Sequence, residues 1–183
     1  MMHSMLWRRL DTPGHDACCL IDNGHGWQLD GTAVFRTDDG SPAQLGYQVH
    51  CDRNWVSRRG SVRGWIGDRR IDLTIAHGPH GLWSVNDEPA DELEGLVDLD
   101  LAFTPATNLI ALRRLALADG ETADAPAAWL ELAHARLIAL PQRYKRLSAT
   151  SYDYDAPSVP YHAVLDVTPQ GFVRMYPQLW QME

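Results

Sequence analysis

Asp98 and Asp100, two residues apart, open the stretch VDLDLAFTPATNLIALRRL at residues 97–115. A Thr104-Pro105-Ala106-Thr107-Asn108 turn and an Arg113-Arg114 pair follow them. On a strand, alternate side chains share a face, so the two carboxylates would sit roughly 7 Å apart. Carboxylates about 5 to 9.5 Å apart suit glycoside hydrolysis, one as the acid and the other as nucleophile or base. The same pair can instead contact a ligand, or be neutralised by the two arginines as a structural ion pair. No third metal ligand accompanies them, so the structural use is the favoured reading, and no catalytic residue or metal ligand is assigned.

Thr104 followed by Pro105 has the form of a helix N-cap with proline at the first helical position, which predicts one short helical turn between two strands. Thr107 and Asn108 can satisfy its backbone, and the amides at its start can hold an anionic headgroup. Read as a strand, ALRRLAL sends Arg113 and Arg114 to opposite faces, so at most one of them lines a cavity, where it suits a phosphate or carboxylate head. Seven tryptophans are mostly core material, but Trp55 and Trp83 on a concave face would offer platforms for sugar rings or lipid tails. The ligand-binding candidates are therefore Trp55, Trp83, Asn108, Arg113 and Arg114. Asp98, Asp100, Thr104, Pro105 and Thr107 are structural candidates. His77-x-x-His80 lies in a Gly-Pro turn and reads as surface, not as a metal site. No Ser-His-acid order, P-loop or dinucleotide fingerprint is present, so no cofactor is expected.

These residues need a scaffold, and the composition supplies a soluble one. The 183 residues are 45% hydrophobic and 22% charged, with a formal net charge of -8. That balance allows a real core and repels polyphosphate, which excludes nucleic acid as the expected partner. No signal-like or membrane-spanning apolar run stands out. Cys18, Cys19 and Cys51 lack metal or redox spacing and read as free thiols, so a cytoplasmic location is expected.

Period-2 alternation recurs in Leu45-Tyr47-Val49-Cys51, Ile71-Leu73-Ile75, Val97-Leu99-Leu101-Phe103 and Tyr161-Ala163-Leu165-Val167. Turn signals punctuate it at Asp38-Asp39-Gly40, Gly67-Asp68, Gly78-Pro79, Asp119-Gly120 and Pro169-Gln170-Gly171. A mostly antiparallel meander is predicted. RRIDLTIAHGPHGLWSVND also overlays PYHAVLDVTPQGFVRMYP without a gap, so Ile71 meets Tyr161, Gly81 meets Gly171 and Trp83 meets Val173. Extended backward, the overlay sets Asn54-Trp55 against Tyr144-Lys145 and Val62 against Tyr152, which suggests two similar halves. AAWLELAHARLIALPQ, residues 127–142, would be helical by propensity alone.

The run Asp98-x-Asp100-Leu101-x-x-Thr104-Pro105-x-Thr107-Asn108, with Arg113-Arg114-Leu115 after it, resembles the signature of the Putative glycolipid-binding family of bacterial proteins. Tyr47–Asp52, Trp55, the Gly81-x-Trp83 turn, Trp129, Gln142-x-Tyr144 and Gly171–Pro177 match around it in order, from about Trp27 onward. The chain departs where the family usually reads Thr-Leu-Pro-Ile, having Leu109-Ile110-Ala111-Leu112. The resemblance implies a mainly β, curved antiparallel spiral β-roll of two similar halves, similar in shape to periplasmic lipoprotein carriers, in which residues 129–140 form strand. The expectation is a single domain, 1–183, with approximate halves 20–96 and 97–183 and one or two short helical turns. Its function would be non-catalytic binding of an apolar or amphipathic small molecule, a glycolipid by the family's name, in the concavity of the roll. The alternatives are an enzyme for a glycosyl or acyl substrate using the paired carboxylates, or a sheet that pairs with other chains, a homodimer through its edges included.

Overall fold

A computed structural model describes residues 2–183. The chain runs through β1 (Met2–Arg9), β2 (Gly14–Asp22), β3 (Gly26–Arg36), β4 (Pro42–Asp52), β5 (Ser57–Ile66) and β6 (Arg69–His77). A 3-10 turn (Pro79–Gly81) leads to β7 (Trp83–Val85), β8 (Glu88–Ala90), β9 (Asp98–Asp100) and the helix α1 (Asn108–Leu115). Then follow β10 (Thr122–Asp124), β11 (Ala127–Glu131), β12 (Arg136–Leu140), β13 (Arg143–Ser148), β14 (Ser151–Ala156), β15 (Tyr161–Val167), β16 (Val173–Tyr176) and β17 (Trp180–Met182). The fold is mainly β. Fourteen strands form one sheet in the order β10-β13-β14-β15-β16-β17-β1-β2-β3-β4-β5-β6-β7-β8, and β12-β11-β9 form a second. Neighbours in the large sheet are antiparallel, and it is not closed into a barrel: β10 and β8 are its ends. β1 pairs with β17 through Trp7–Met182, Arg8–Gln181 and Arg9–Trp180, so strands from the two ends of the chain join one surface.

The alternating residues form strands because each hairpin buries one face. Leu45, Tyr47, Val49 and Cys51 of β4 are buried, as are Ile71, Leu73 and Ile75 of β6. Gly67 takes a left-handed φ of 60° and closes the two-residue β5–β6 turn, a conformation that a Cβ would oppose. Residues 127–140 form a strand hairpin, β11 and β12 joined by a turn at 132–135, despite their alanine and leucine. Ala128, Leu130 and Leu137 are buried there, and tertiary burial overrides propensity.

The overlay of the two halves holds for one unit and then slips. Gly78 N–H donates to Leu82 O at 2.8 Å, and at the matching place Thr168 N–H donates to Phe172 O at 2.7 Å. His77 pairs with Trp83 as Val167 pairs with Val173. Gly81 and Gly171 both have left-handed φ, 75° and 96°. One hairpin earlier the registers differ: Ile66 pairs with Arg69 across two residues, whereas Ala156 pairs with Tyr161 across four. Trp55 lies in a turn, whereas Lys145 lies inside β13.

The arginine pair is helical, which corrects the strand reading. Leucine, alanine and arginine favour helix, and Leu109, Ile110 and Leu112 are buried while Arg113 is exposed. Ala111, where the family's proline would stand, is a buried helical residue. Eight residues are too few for a helix stable by itself, so burial of these side chains, roughly 1.5 to 3 kcal/mol each, holds α1 in place. It ends at Ala116, left-handed at φ 46°, whose N–H donates to Leu112 O. At this length α1 cannot cross a membrane.

Residues 99–112 pack against the large sheet. Phe103 stacks on Phe35 of β3 and meets Tyr47 of β4 edge-on. Leu99 reaches so close to Gly60 of β5 that a Cβ there would clash, and Leu109 does the same at Gly171. Leu99, Leu101, Phe103, Ala106, Leu109 and Ile110 are all at most 4% exposed. At this point the face of the large sheet is thus covered by the chain itself. Trp83 belongs to the same core: it is 1% exposed, stacks on His77 at 4.3 Å and donates its indole N–H to Leu96 O.

Candidate ligand-binding site

Asp98 and Asp100 have been given different partners. Arg114 donates Nε to Asp98 Oδ1 at 2.7 Å and Nη2 to Oδ2 at 2.6 Å, a bidentate pair between α1 and β9. Burial pushes the Asp98 carboxyl up, and the guanidinium opposes that shift. Arg114 is thereby committed to Asp98. Asp100 accepts from the Ala102 N–H and from Gln142 Nε2, each at 2.8 Å. Burial raises its pKa, the two hydrogen bonds oppose this, and the Asp98 charge adds to it.

Asp100 forms part of the wall of a cleft of about 250 Å³. Motif residues Thr104, Pro105 and Asn108 line one side, and Trp129, Tyr154, Tyr161, Tyr176 and Trp180 supply the aromatic surface. The topology explains this meeting of distant residues. Parallel pairing of β11 with β9 sets Trp129 opposite Asp100. The β16–β17 hairpin sets Trp180 opposite Tyr176. β14 buries one face, through Tyr152, Tyr154 and Ala156. Tyr176 meets Tyr154 at 5.7 Å and Tyr161 at 5.1 Å between ring centres. Tyr161 is fixed by donation of its hydroxyl to Pro177 O at 2.6 Å. Behind the cleft, Asn108 Nδ2 donates to the Tyr144 hydroxyl at 2.9 Å, and that hydroxyl donates to Gln142 Oε1 at 3.4 Å. Desolvation raises the phenols of Tyr144, Tyr154 and Tyr176, so they remain neutral donors.

The remaining motif residues anchor the turn before α1. Thr104 donates to the buried Asp16 carboxylate at 2.5 Å and accepts from the Ala106 N–H at 3.0 Å. The Tyr47 hydroxyl also donates to Asp16, at 3.0 Å. Thr107 Oγ1 accepts from the Leu101 N–H at 3.5 Å. The helix starts after Thr107, three residues later than the Thr104 cap reading implies, because Thr104 is held by Asp16 and caps only the preceding turn.

A matching model for the family described as "Putative glycolipid-binding" spans residues 4–182. The chain belongs to that family. A crystal structure of a DUF1089 family protein from Pseudomonas aeruginosa is similar to this glycolipid-binding family member at 29% identity and a TM-score of 0.80, covering 92% of this chain and 91% of that one. No protein of curated function matches.

Trp55 and Arg113 meet in a separate cleft of this family member, about 370 Å³, with Arg146, Tyr152 and Thr168 in its wall. Arg113 lies 5.3 Å from the Trp55 ring, and Trp55 stacks on Trp27 at 4.7 Å. Arg53 covers Trp27 at 5.4 Å. Of the five sequence-predicted ligand residues, Asn108 thus lines the tyrosine cleft, Trp55 and Arg113 share the second one, and Trp83 and Arg114 belong to the framework. The tyrosines were missed because the aromatic reading counted tryptophans. The available signal was that Tyr144, Tyr152, Tyr154, Tyr161 and Tyr176 gather in the last third of the chain.

Proposed function

We propose that the protein binds the sugar headgroup of an amphipathic molecule in the tyrosine cleft, without chemistry. The observation that carries the reading is an aromatic-walled cleft holding one carboxylate and the Asn108 side chain. Sugar rings stack their C–H faces on aromatic rings while their hydroxyls need polar partners, and this wall offers both. Its volume falls below the roughly 300 to 1,000 Å³ of drug-sized pockets, so one ring enters and the apolar tail lies outside. The exposed Val159 at the cleft wall is suited to meet that tail. The family description agrees with this class of ligand.

Paired-carboxylate catalysis is disfavoured, because Asp98 is committed to Arg114 and one carboxylate alone remains in the cleft. Pairing through the ends of the large sheet has little to use: β8 and β10 are three residues each, and β8 contains Pro89. A second reading is favoured by Arg113, for which no carboxylate partner is found among the described residues: an anionic headgroup on the Trp55–Arg113 cleft. Titration calorimetry with short alkyl glycosides and alkyl phosphates, on the protein and on Tyr176→Ala and Arg113→Ala, separates the two. The sugar reading requires glycoside binding that Tyr176→Ala weakens and Arg113→Ala spares. Phosphate binding with the opposite pattern replaces it by the second reading.

A further inference from the structure

Among the described residues Asp100 is the only charged one in the wall of the tyrosine cleft, and no lysine, arginine or histidine lines it. Its two hydrogen bonds come from neutral donors, the Ala102 N–H and the Gln142 amide. Among the described residues it makes no ion pair, whereas Asp98, two positions earlier, is matched to Arg114. An unpaired carboxylate withdrawn from water is costly unless a counter-charge reaches it. The surrounding surface is built from groups that favour a cation: the faces of Tyr154, Tyr161, Tyr176 and Trp129 carry negative π charge. A neutral sugar can hydrogen-bond to Asp100 but leaves its charge uncompensated.

We propose that the cleft selects a positively charged headgroup, an ammonium-bearing sugar, whose ammonium pairs with Asp100 against the tyrosine rings. This rests on the sugar-binding reading above and narrows it to a ligand class. The ammonium donates up to three hydrogen bonds, and the Asp100 oxygens have lone pairs left for them after Ala102 and Gln142. Burial already raises the Asp100 pKa, so a bound cation would pull a proton off the carboxyl wherever it is still protonated.

The test compares hexyl glucosaminide, its N-acetylated form and hexyl glucoside by titration calorimetry on the protein and on Asp100→Asn. The expected result is binding of the free amine about tenfold or more tighter than either neutral glycoside, with that preference lost in Asp100→Asn. Because the variant can fail to fold, the same comparison is made on the unmodified protein from pH 7 down to pH 4. The amine's advantage should shrink as acid is added, since protonation of Asp100 competes with the ammonium, while the neutral glycosides keep their affinity. Equal binding of all three glycosides, or an amine preference that survives both Asp100→Asn and acid, overturns the charge proposal and leaves sugar binding standing. If none of the three binds, both fall together.

Discussion

Arg114 holds Asp98 by two parallel hydrogen bonds of 2.7 and 2.6 Å, and so decides what each carboxylate of the Asp98-x-Asp100 pair can do. Asp98 becomes a clamp between β9 and α1, and Asp100 is left to the cleft. The Asp98 side chain is 4% exposed and that of Arg114 22%. Removing the carboxylate leaves a guanidinium with little water to replace it. Asp98→Ala is expected to cost about 2 to 4 kcal/mol. Urea denaturation checks this. The double variant Asp98→Ala, Arg114→Ala should lose less than the sum of the single losses, since one deletion already removes the pair.

Gly171 is expected to tolerate no side chain. Its φ is 96°, and a Cβ would lie 2.9 Å from Leu109 Cδ1. Gly171→Ala therefore combines a disfavoured backbone with a clash against α1, for a loss of about 2 to 4 kcal/mol. Gly120 also has a left-handed φ, of 84°, but nothing within 4 Å of its would-be Cβ. Gly120→Ala should cost about 1 kcal/mol or slightly more. Melting curves of the two variants measure how much of the first effect is contact with the helix.

The strands were legible because burial on one face repeats every second residue, as in Tyr47, Val49 and Cys51 of β4. The helix was not, because the leucines around Arg113-Arg114 also fit a strand, and it is the joint burial of Leu109, Ile110 and Leu112 that selects the period. The cleft was less legible still. Its wall runs from Asp100 to Trp180 and depends on a parallel β9–β11 pairing that a meander does not announce. The different fates of Trp55 and Trp83 have the same origin: each is a tryptophan near a glycine-rich or polar turn, and tertiary contacts alone put one in a cleft and the other under Leu96.

Ligand entry should be visible in emission from the tryptophans of the cleft. Trp129 and Trp180 line it, whereas Trp55 belongs to the other cleft. A bound alkyl glycoside is expected to change fluorescence in the unmodified protein and in Trp55→Phe, and to change it much less when Trp129→Phe and Trp180→Phe are combined. Calorimetry over a range of temperatures should give a negative heat-capacity change, the mark of apolar burial. A response lost in Trp55→Phe and kept in the Trp129→Phe, Trp180→Phe double variant would assign the ligand to the Arg113 side instead.

Asp16 should give the protein an unusual stability profile. It is fully buried on β2, receives hydrogen bonds from Thr104 and Tyr47, and makes no ion pair among the described residues. Burial outweighs those hydrogen bonds and raises its pKa from 3.8 to about 6. Between these values the folded chain keeps a proton that the unfolded chain has released. The contribution of Asp16 to stability then falls as pH rises through that window, the reverse of a salt-bridged carboxylate, and levels off above about pH 6. A difference of roughly two pKa units corresponds to about 3 kcal/mol at 1.36 kcal/mol per unit. Asp16→Asn removes the titration while keeping a carbonyl oxygen for Thr104 or Tyr47. Measured by urea denaturation from pH 4 to pH 8, the unmodified protein should lose stability relative to Asp16→Asn by about that amount, with the change centred between pH 4 and 6. Parallel profiles for the two proteins would mean that the Asp16 carboxyl titrates alike in the folded and unfolded chains, and that its hydrogen bonds to Thr104 and Tyr47 fully offset its burial.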